Sequence, residues 1–135
     1  MNLSPKGLPS ATFSIFDPNH AAYVDGTGSG SETISHLYEN GRITIMFCSF
    51  TKSPRIMRFF CTGKVVEWDS PGFEPLLRKM GKEAIKGARA VISLDVWKVT
   101  MFIPSHRKAR LPTAYVGTNI LWVRGSFLGH SSPIR

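Results

Sequence analysis

Three long runs of strand-forming residues dominate the chain and limit the folds that it can adopt. They cover residues 42–50, 55–68 and 88–102, and they are rich in Ile, Val, Phe, Met and Thr. Such residues favour a pleated, half-buried backbone, and turn-forming residues separate the first two runs. Gly63, inside the second run, predicts a bulge or bend, which suits a barrel better than a flat sheet. We therefore expect a fold that is mainly β with short helices (α+β), arranged as a barrel.

Shorter elements fill much of the remaining sequence. Residues 11–16 alternate between the two faces of a strand, and residues 20–25 predict a second strand across a turn that contains Pro18 and Asn19. The two strands together predict an antiparallel hairpin. Apolar residues recur at helical spacing in residues 32–40 and 73–84, so two short helices are expected there. The pattern fades beyond Pro104, and no element is predicted in that region.

Length and composition are those of one globular domain. The chain has 135 residues, of which 42% are hydrophobic and 19% are charged, enough for one core. No apolar run approaches the roughly 18 residues of a membrane span, and no signal peptide is evident, so we expect a soluble, cytoplasmic protein. Cys48 and Cys61 lie in strand-like apolar runs and are expected to be free thiols that are not directly opposite each other.

The formal net charge of +8 is unevenly distributed. Residues 1–100 contain 12 Lys/Arg and 9 Asp/Glu, whereas residues 101–135 contain five Lys/Arg and no acid. A basic tail either binds polyanions such as nucleic acids or stays solvated without a partner. The solvated tail is favoured, because no aromatic stacking motif accompanies these basic residues.

The clearest candidate site is the glycine-rich loop at 26–31, Gly-Thr-Gly-Ser-Gly-Ser, which leads directly into the first predicted helix. Backbone N–H groups at a helix start are polarised positively and suit a phosphate. The glycines allow close approach, and hydroxyl donors are available on Thr27, Ser29, Ser31 and Thr33. No Gly-Lys-Ser/Thr follows, so the loop is not a Walker motif. The alternative is a flexible turn in which Ser29 or Ser31 caps the helix.

Other charged residues are weaker candidates. Lys6, held between Pro5 and Gly7, either neutralises a phosphate or is an exposed lysine in a terminal turn. Arginines at strand starts (Arg42, Arg55 and Arg58) either hold anions, form ion pairs between subunits or are solvated. The four histidines show no spacing typical of a metal site.

Several short motifs occur together in a familiar order. They are Ser-Pro-Lys-Gly-Leu at 4–8, Asp-Pro-Asn-His at 17–20, Gly-Ser-Gly-Ser-Glu-Thr-Ile-Ser-His at 28–36, Glu-Asn-Gly-Arg-Ile-Thr-Ile-Met-Phe at 39–47 and Pro-Arg-Ile-Met-Arg at 54–58, followed by Gly63. From about residue 4 to residue 99, the chain resembles the pyridoxamine 5′-phosphate oxidase-like family in order and spacing. The resemblance implies a split β-barrel that forms a homodimer and holds FMN in a cleft between the subunits.

The resemblance also implies which residues bind the cofactor. In the family, the Ser-Pro-Lys-Gly element and the glycine-rich helix start face the flavin and its phosphate. The corresponding residues here are Ser4, Lys6 and Gly7 in the first element, and Thr27, Gly28, Ser29, Glu32 and Thr33 in the second. Ser31 stands where relatives often have Asn. No catalytic residue is identified by the resemblance.

The family pattern is altered at both ends of the chain. Relatives usually have a helix and a first barrel strand before the Ser-Pro-Lys-Gly element, and the pattern stops again after Val99. We therefore expect a split-barrel domain at 1–100 that lacks that helix and strand, and a divergent basic tail at 101–135. Alternative splicing, a mispredicted gene end or a frameshift would each produce such a junction. An incomplete barrel would expose a strand edge.

Two functional hypotheses follow. The first is an FMN-dependent oxidoreductase that acts on a small-molecule substrate, with the flavin supplying the redox chemistry. Some members of this class use a deazaflavin or haem instead. The second is a non-catalytic or vestigial flavin-binding protein from a truncated gene product. Neither hypothesis requires a membrane or a nucleic acid as partner.

Overall fold

Strands account for most of the described chain, as the sequence predicts. The computed structural model describes residues 2–6, 8–49, 55–82, 86–102 and 119–125. The fold is therefore mainly β with short helices, and the predicted α+β class is confirmed. In chain order the elements are β1 (Asn2–Pro5), α1 (Pro9–Thr12), β2 (Phe13–Ile15), β3 (His20–Gly26), α2 (Gly30–Asn40), β4 (Arg42–Ser49), β5 (Arg55–Glu67), α3 (Phe73–Lys79), β6 (Ala88–Phe102) and β7 (Asn119–Gly125).

The seven strands form one sheet in the order β1-β7-β4-β5-β6-β3-β2, and every neighbouring pair is antiparallel. The order is linear, with β1 and β2 at its edges, so the hydrogen-bonded sheet is not closed. The split barrel therefore stays a prediction. β7, which lies within the predicted tail, pairs with both β1 and β4, while the domain boundary at residue 100 is untested.

The interior strands bury side chains on both faces. On one face, the ring centroids of Phe13 and Phe47 are 5.1 Å apart and those of Phe47 and Phe59 are 5.3 Å apart. Ile34 and Leu37 of α2 join this aromatic cluster. On the other face, α3 packs against β3 and β6. β6 lies between β3 and β5, and its residues contribute to both faces of the core.

The expectation of a bulge at Gly63 is corrected. Gly63 pairs in register with Leu94, and the irregularity in the β5–β6 ladder lies between Phe60 and Cys61 instead. Glycine suits position 63 for another reason, because a Cβ there would lie 2.7 Å from Leu37 Cδ2. The expected bulge at Gly63 is therefore wrong: the glycine makes room for α2.

The first hairpin strand is shorter than expected. Residues 9–12 form the short helix α1 because Pro9 starts it with a preset φ, and Thr12 Oγ1 donates a hydrogen bond to the Leu8 carbonyl at 3.1 Å. The hairpin itself forms as predicted, between β2 and β3. The second expected helix, 73–84, is seen as α3 and ends at Lys79, and its last predicted residues lie outside the described ranges.

The two cysteines are free thiols. In the β4–β5 ladder Cys48 pairs with Ile56 and Cys61 with Ile43, so they are not opposite each other, as expected. Burial raises the pKa of the Cys61 thiol to about 12. Within the described residues, no helix is long and apolar enough to cross a membrane.

Candidate functional site

A cavity of about 250 Å³ lies where β3 ends and α2 begins. Four separate stretches of the chain form its wall: the end of β1 with the residue after it, the last residue of α1, the segment from the end of β3 to the start of α2, and the turn before β6. The lining residues are Ser4, Pro5, Lys6, Thr12, Val24, Gly26, Thr27, Ser29, Gly30, Lys86 and Gly87. Two lysines and several hydroxyl groups therefore surround a space beside a helix N-terminus, which is a setting that suits an anion.

The β3–α2 loop is shaped by its glycines and held by backbone hydrogen bonds. Gly28 has a φ of 132°, which only glycine adopts without strain. The Ser31 amide donates to the Gly28 carbonyl at 3.3 Å, and the Thr27 amide donates to the Gly87 carbonyl at 3.0 Å. The first of these bonds closes the loop on itself, and the second attaches it to the turn that precedes β6, so these two walls of the cavity are fixed to each other.

Ser29 lies at the N-cap position of α2, but its side chain makes no capping hydrogen bond there. Its hydroxyl instead lies 3.1 Å from the hydroxyl of Ser4, a buried residue of β1. The contact joins the first strand to the helix start. Both hydroxyls lie in the wall of the cavity, where a hydroxyl can donate to an anion.

A buried carboxylate lies directly behind the cavity. Asp25 is fully buried and pairs with the Lys6 ammonium, whose side chain is only 6% exposed. The Arg89 guanidinium contacts the second Asp25 oxygen at 2.6 Å and donates to the Gly26 carbonyl at 3.2 Å. Two cations thus share one carboxylate, and the triad has a net charge of +1.

Gly30 is the first residue of α2, and it lies against this triad. A Cβ at this position would lie 2.5 Å from Lys6 Nζ and 2.8 Å from Asp25 Oδ2. Contacts below about 3 Å are sterically forbidden, so any side chain here would displace the ion pair. The glycine therefore permits the helix start and the buried ion pair to approach each other.

Tyr23 lies on the same face of β3 as Asp25, two residues earlier. It is completely buried, and its hydroxyl has no hydrogen-bond partner within the described part of the chain. Desolvation, with a further contribution from the Asp25 charge, raises the pKa of Tyr23 well above 10.0. The Lys6 ammonium lies 5.7 Å from the centre of its ring.

The sequence of this chain is similar to that of a protein whose family is known. The chain is 58% identical over 99 residues to the pyridoxamine 5′-phosphate oxidase family protein ustO of Aspergillus flavus, and the match covers 73% of this chain and 40% of that protein. No protein-family model and no solved structure matches the chain. Over the matched segment, this chain belongs to the pyridoxamine 5′-phosphate oxidase family. It spans about two fifths of the length of that relative.

The eight residues that the family resemblance implies as cofactor-binding differ in where they lie relative to the cavity. Those that line the cavity are Ser4, Lys6, Thr27 and Ser29, and Gly28 lies in the loop between the last two. Glu32 and Thr33 are in the first turn of α2 but do not line the cavity; Glu32 is exposed and Thr33 is buried. Gly7 lies outside the described residues. The binding roles of all eight stay predictions.

Asp25 and Arg89, the partners of Lys6 in the triad, were not predicted from the sequence. Asp25 and Arg89 come together through the β3–β6 ladder, in which Asp25 pairs with Ala90. The sequence contains one signal, since Asp25 falls in the inward-facing series of β3 with Tyr23. An acidic residue at such a position needs a buried partner. Lys86 precedes β6 and gave no comparable signal.

Proposed function

We propose that this chain binds FMN and holds the flavin phosphate in the cavity at the start of α2. The observation that carries the proposal is the convergence of Ser4, Lys6, Thr27 and Ser29 on one cavity. These residues come from two segments, 4–6 and 27–29, that are separated in the sequence, and the family resemblance selects all four. Membership of the pyridoxamine 5′-phosphate oxidase family supports a flavin as the ligand, and a deazaflavin that carries a phosphate would use the same contacts.

The charge around the cavity suits a phosphate monoester. Lys6, Arg89 and Lys86 contribute three positive charges, and Asp25 contributes one negative charge. The net charge of +2 matches the dianion that a phosphate monoester becomes above about pH 6. The Lys6 ammonium has three N–H donors, so its hydrogen bond to Asp25 leaves donors for a phosphate oxygen.

The size of the cavity limits what it can enclose. Pockets for whole cofactors measure roughly 300–1,000 Å³, and this cavity measures about 250 Å³. The phosphate end of FMN fits such a space, while the ring would extend beyond it. We propose that a second subunit of a split-barrel homodimer covers the ring, as the family resemblance implies.

Bound FMN would supply the redox chemistry of a cytoplasmic oxidoreductase with a small-molecule substrate. The residues of this chain would neutralise the phosphate, donate hydrogen bonds to it and fix its position. The second candidate function is a non-catalytic flavin-binding protein. Mixing the flavin-loaded protein, without oxygen, with a panel of small-molecule reductants that includes NADH and NADPH distinguishes the two: bleaching of the flavin absorbance by any of them supports the oxidoreductase, and persistent absorbance with all of them supports the binding protein.

The test of FMN binding is a fluorescence titration of purified protein into FMN, with riboflavin as the ligand that lacks the phosphate. We expect FMN to bind more tightly than riboflavin by roughly tenfold or more, since a charge-assisted hydrogen bond to phosphate contributes about 1.5–3 kcal/mol. Flavin fluorescence and absorbance that do not change on addition of folded protein would contradict the proposal.

Replacing Lys6 by methionine tests the proposed phosphate contact directly. Lys6→Met should weaken FMN binding by about tenfold and leave riboflavin binding nearly unchanged, because only the phosphate loses a partner. The matched control is Lys98→Met, which removes an exposed lysine that lies over Phe60 on β5. Equal losses for FMN and riboflavin in Lys6→Met would indicate damage to the fold rather than to a phosphate site.

A further inference from the structure

Asp25 is the one acidic residue in contact with both Lys6 and Arg89 among the residues that the structure describes. It does not line the cavity, whereas Lys6 does. Its carboxylate would repel a phosphate, so direct contact with an anion is not its role. Any effect of Asp25 on binding must therefore act through the two cations that it holds.

We propose that Asp25 is a positioning residue for phosphate recognition, and that Gly30 is required for the same purpose. The Asp25 carboxylate fixes the Lys6 ammonium at the cavity wall, and the absence of a side chain at Gly30 allows that ion pair to lie under the helix start. This inference rests on the proposed function, because it assigns the determinants of phosphate selectivity in the same site.

Electrostatics and positioning predict opposite results when Asp25 loses its charge. Asp25→Asn raises the net charge around the cavity from +2 to +3, so Coulomb attraction alone would tighten the binding of a dianion. Positioning predicts weaker binding, because Lys6 and Arg89 lose their shared partner and repel each other. The sign of the change in FMN affinity thus separates the two explanations.

The experiment measures the ratio of FMN affinity to riboflavin affinity in the whole chain. Asp25→Asn and Gly30→Ala should each lower this ratio by about tenfold, the effect of misplacing one charge-assisted hydrogen bond, while riboflavin affinity stays close to that of the wild type. A merely structural role would lower both affinities together and leave the ratio unchanged. An unchanged or increased ratio in Asp25→Asn overturns the proposal.

Two matched variants control for charge and for the added methyl group. Asp69→Asn makes the same change of charge at an exposed turn, and Gly72→Ala adds a Cβ that meets Val66 at an ordinary 3.5 Å. Both should keep the wild-type ratio. If Asp25→Asn does not fold, Gly30→Ala keeps the test decisive, since it displaces the same ion pair while both charged residues remain.

Inorganic phosphate separates failure of this inference from failure of the proposed function. If the wild type binds no flavin, the thermal unfolding midpoint is measured with and without phosphate. A midpoint that phosphate raises in the wild type but not in Gly30→Ala would support the positioning role for another phosphate ligand. A midpoint that phosphate does not raise in the wild type would overturn both proposals.

Discussion

The buried environment of the Tyr23 hydroxyl determines both its energetic cost and its pKa. Its hydroxyl lies in the same interior as the Lys6–Asp25–Arg89 triad, yet it has no hydrogen-bond partner among the described residues. A buried hydroxyl without a partner loses its hydration and gains nothing in return. Burial also raises the pKa of Tyr23, because the ionised form would lose its hydration, and the nearby Asp25 charge raises it further.

Tyr23→Phe should therefore not destabilise the protein. We expect the free energy of unfolding at neutral pH to rise by up to about 1 kcal/mol, because the unsatisfied hydroxyl is removed and the ring is kept. Urea unfolding with an unchanged m-value is the measurement. A loss of more than about 1 kcal/mol would mean that the hydroxyl has a stabilising partner.

The same residue predicts how stability depends on pH. The folded pKa of Tyr23 is raised above 10.0, so its contribution is complete below that pH and is lost as the pH rises through the unfolded and folded values. In the unfolded chain Tyr23 ionises first, which favours unfolding. The wild type should lose more stability than Tyr23→Phe between about pH 8 and about pH 11. Parallel losses in the two proteins would show that Tyr23 does not contribute.

Among the elements, α2 connects the core to the candidate site. Its N-terminus forms part of the cavity wall, and Ile34 and Leu37 pack into the aromatic cluster. The helix is followed by its C-cap residue Gly41, which has a φ of 68°, and the Gly63 amide donates to the Gly41 carbonyl at 2.7 Å. The position of the cavity-lining end of α2 is therefore determined by how its other end packs on β5.

Gly63→Ala should separate α2 from β5. The new Cβ would lie 2.7 Å from Leu37 Cδ2 and 3.1 Å from Ile43 Cγ2, and overpacking of this kind costs about 1–3 kcal/mol. Adding Leu37→Ala should recover part of the loss, so a double-mutant cycle should give a favourable coupling of at least about 0.5 kcal/mol. Urea unfolding of the four proteins measures it, with Gly26→Ala as control, since its Cβ would meet Gly87 O at an ordinary 3.8 Å. Strict additivity would contradict the contact.

Local sequence patterns predicted the elements better than their connections. Apolar alternation and helical spacing located β4, β5, β6 and α2 closely, because those patterns reflect which face of each element is buried. The short helix α1 was missed because its signal, Pro9, also fits a turn. β7 was missed because its apolar residues are surrounded by Arg, Gly and Ser, and its pairing with β1 and β4 depends on residues far away in the chain.

The residues of the candidate site also divide into those that the sequence predicted and those that it did not. Ser4, Lys6, Thr27 and Ser29 were selected through motifs that the family resemblance made specific. The contact of Arg89 with Asp25 depends on the register between β3 and β6. The need for glycine at position 30 depends on how closely the start of α2 approaches Lys6. Neither quantity is encoded in a local pattern, so neither residue could be assigned these roles from the sequence.

At the scale of the whole molecule, burial is greatest in the middle of the sheet and least at its edges. β6 is paired along both sides from Ala90 to Asp95, and Val91 and Ile92 are completely buried. β2 is an edge strand of three residues. The opening of local structure should therefore begin at the edges, while the centre exchanges only through global unfolding.

Native-state hydrogen exchange should show this gradient. The amides of Val91 and Ile92 should exchange with a free energy close to that of global unfolding, and those of β2 should exchange with much lower values. Exchange followed by NMR or mass spectrometry, compared with urea unfolding under the same conditions, is the measurement. Comparable protection in β2 and β6 would contradict the gradient.

The Lys6–Asp25 ion pair also connects two parts of the molecule that differ in stability. Lys6 follows β1, an edge strand that pairs with β7 alone among the described strands, whereas Asp25 belongs to an interior strand. An anion held by Lys6 would therefore connect β1, at one edge of the sheet, to β3, which lies next to the opposite edge. Fraying of the first residues and loss of the ligand then become a single event, so cleavage near the N-terminus by a protease would report how much of the protein is loaded.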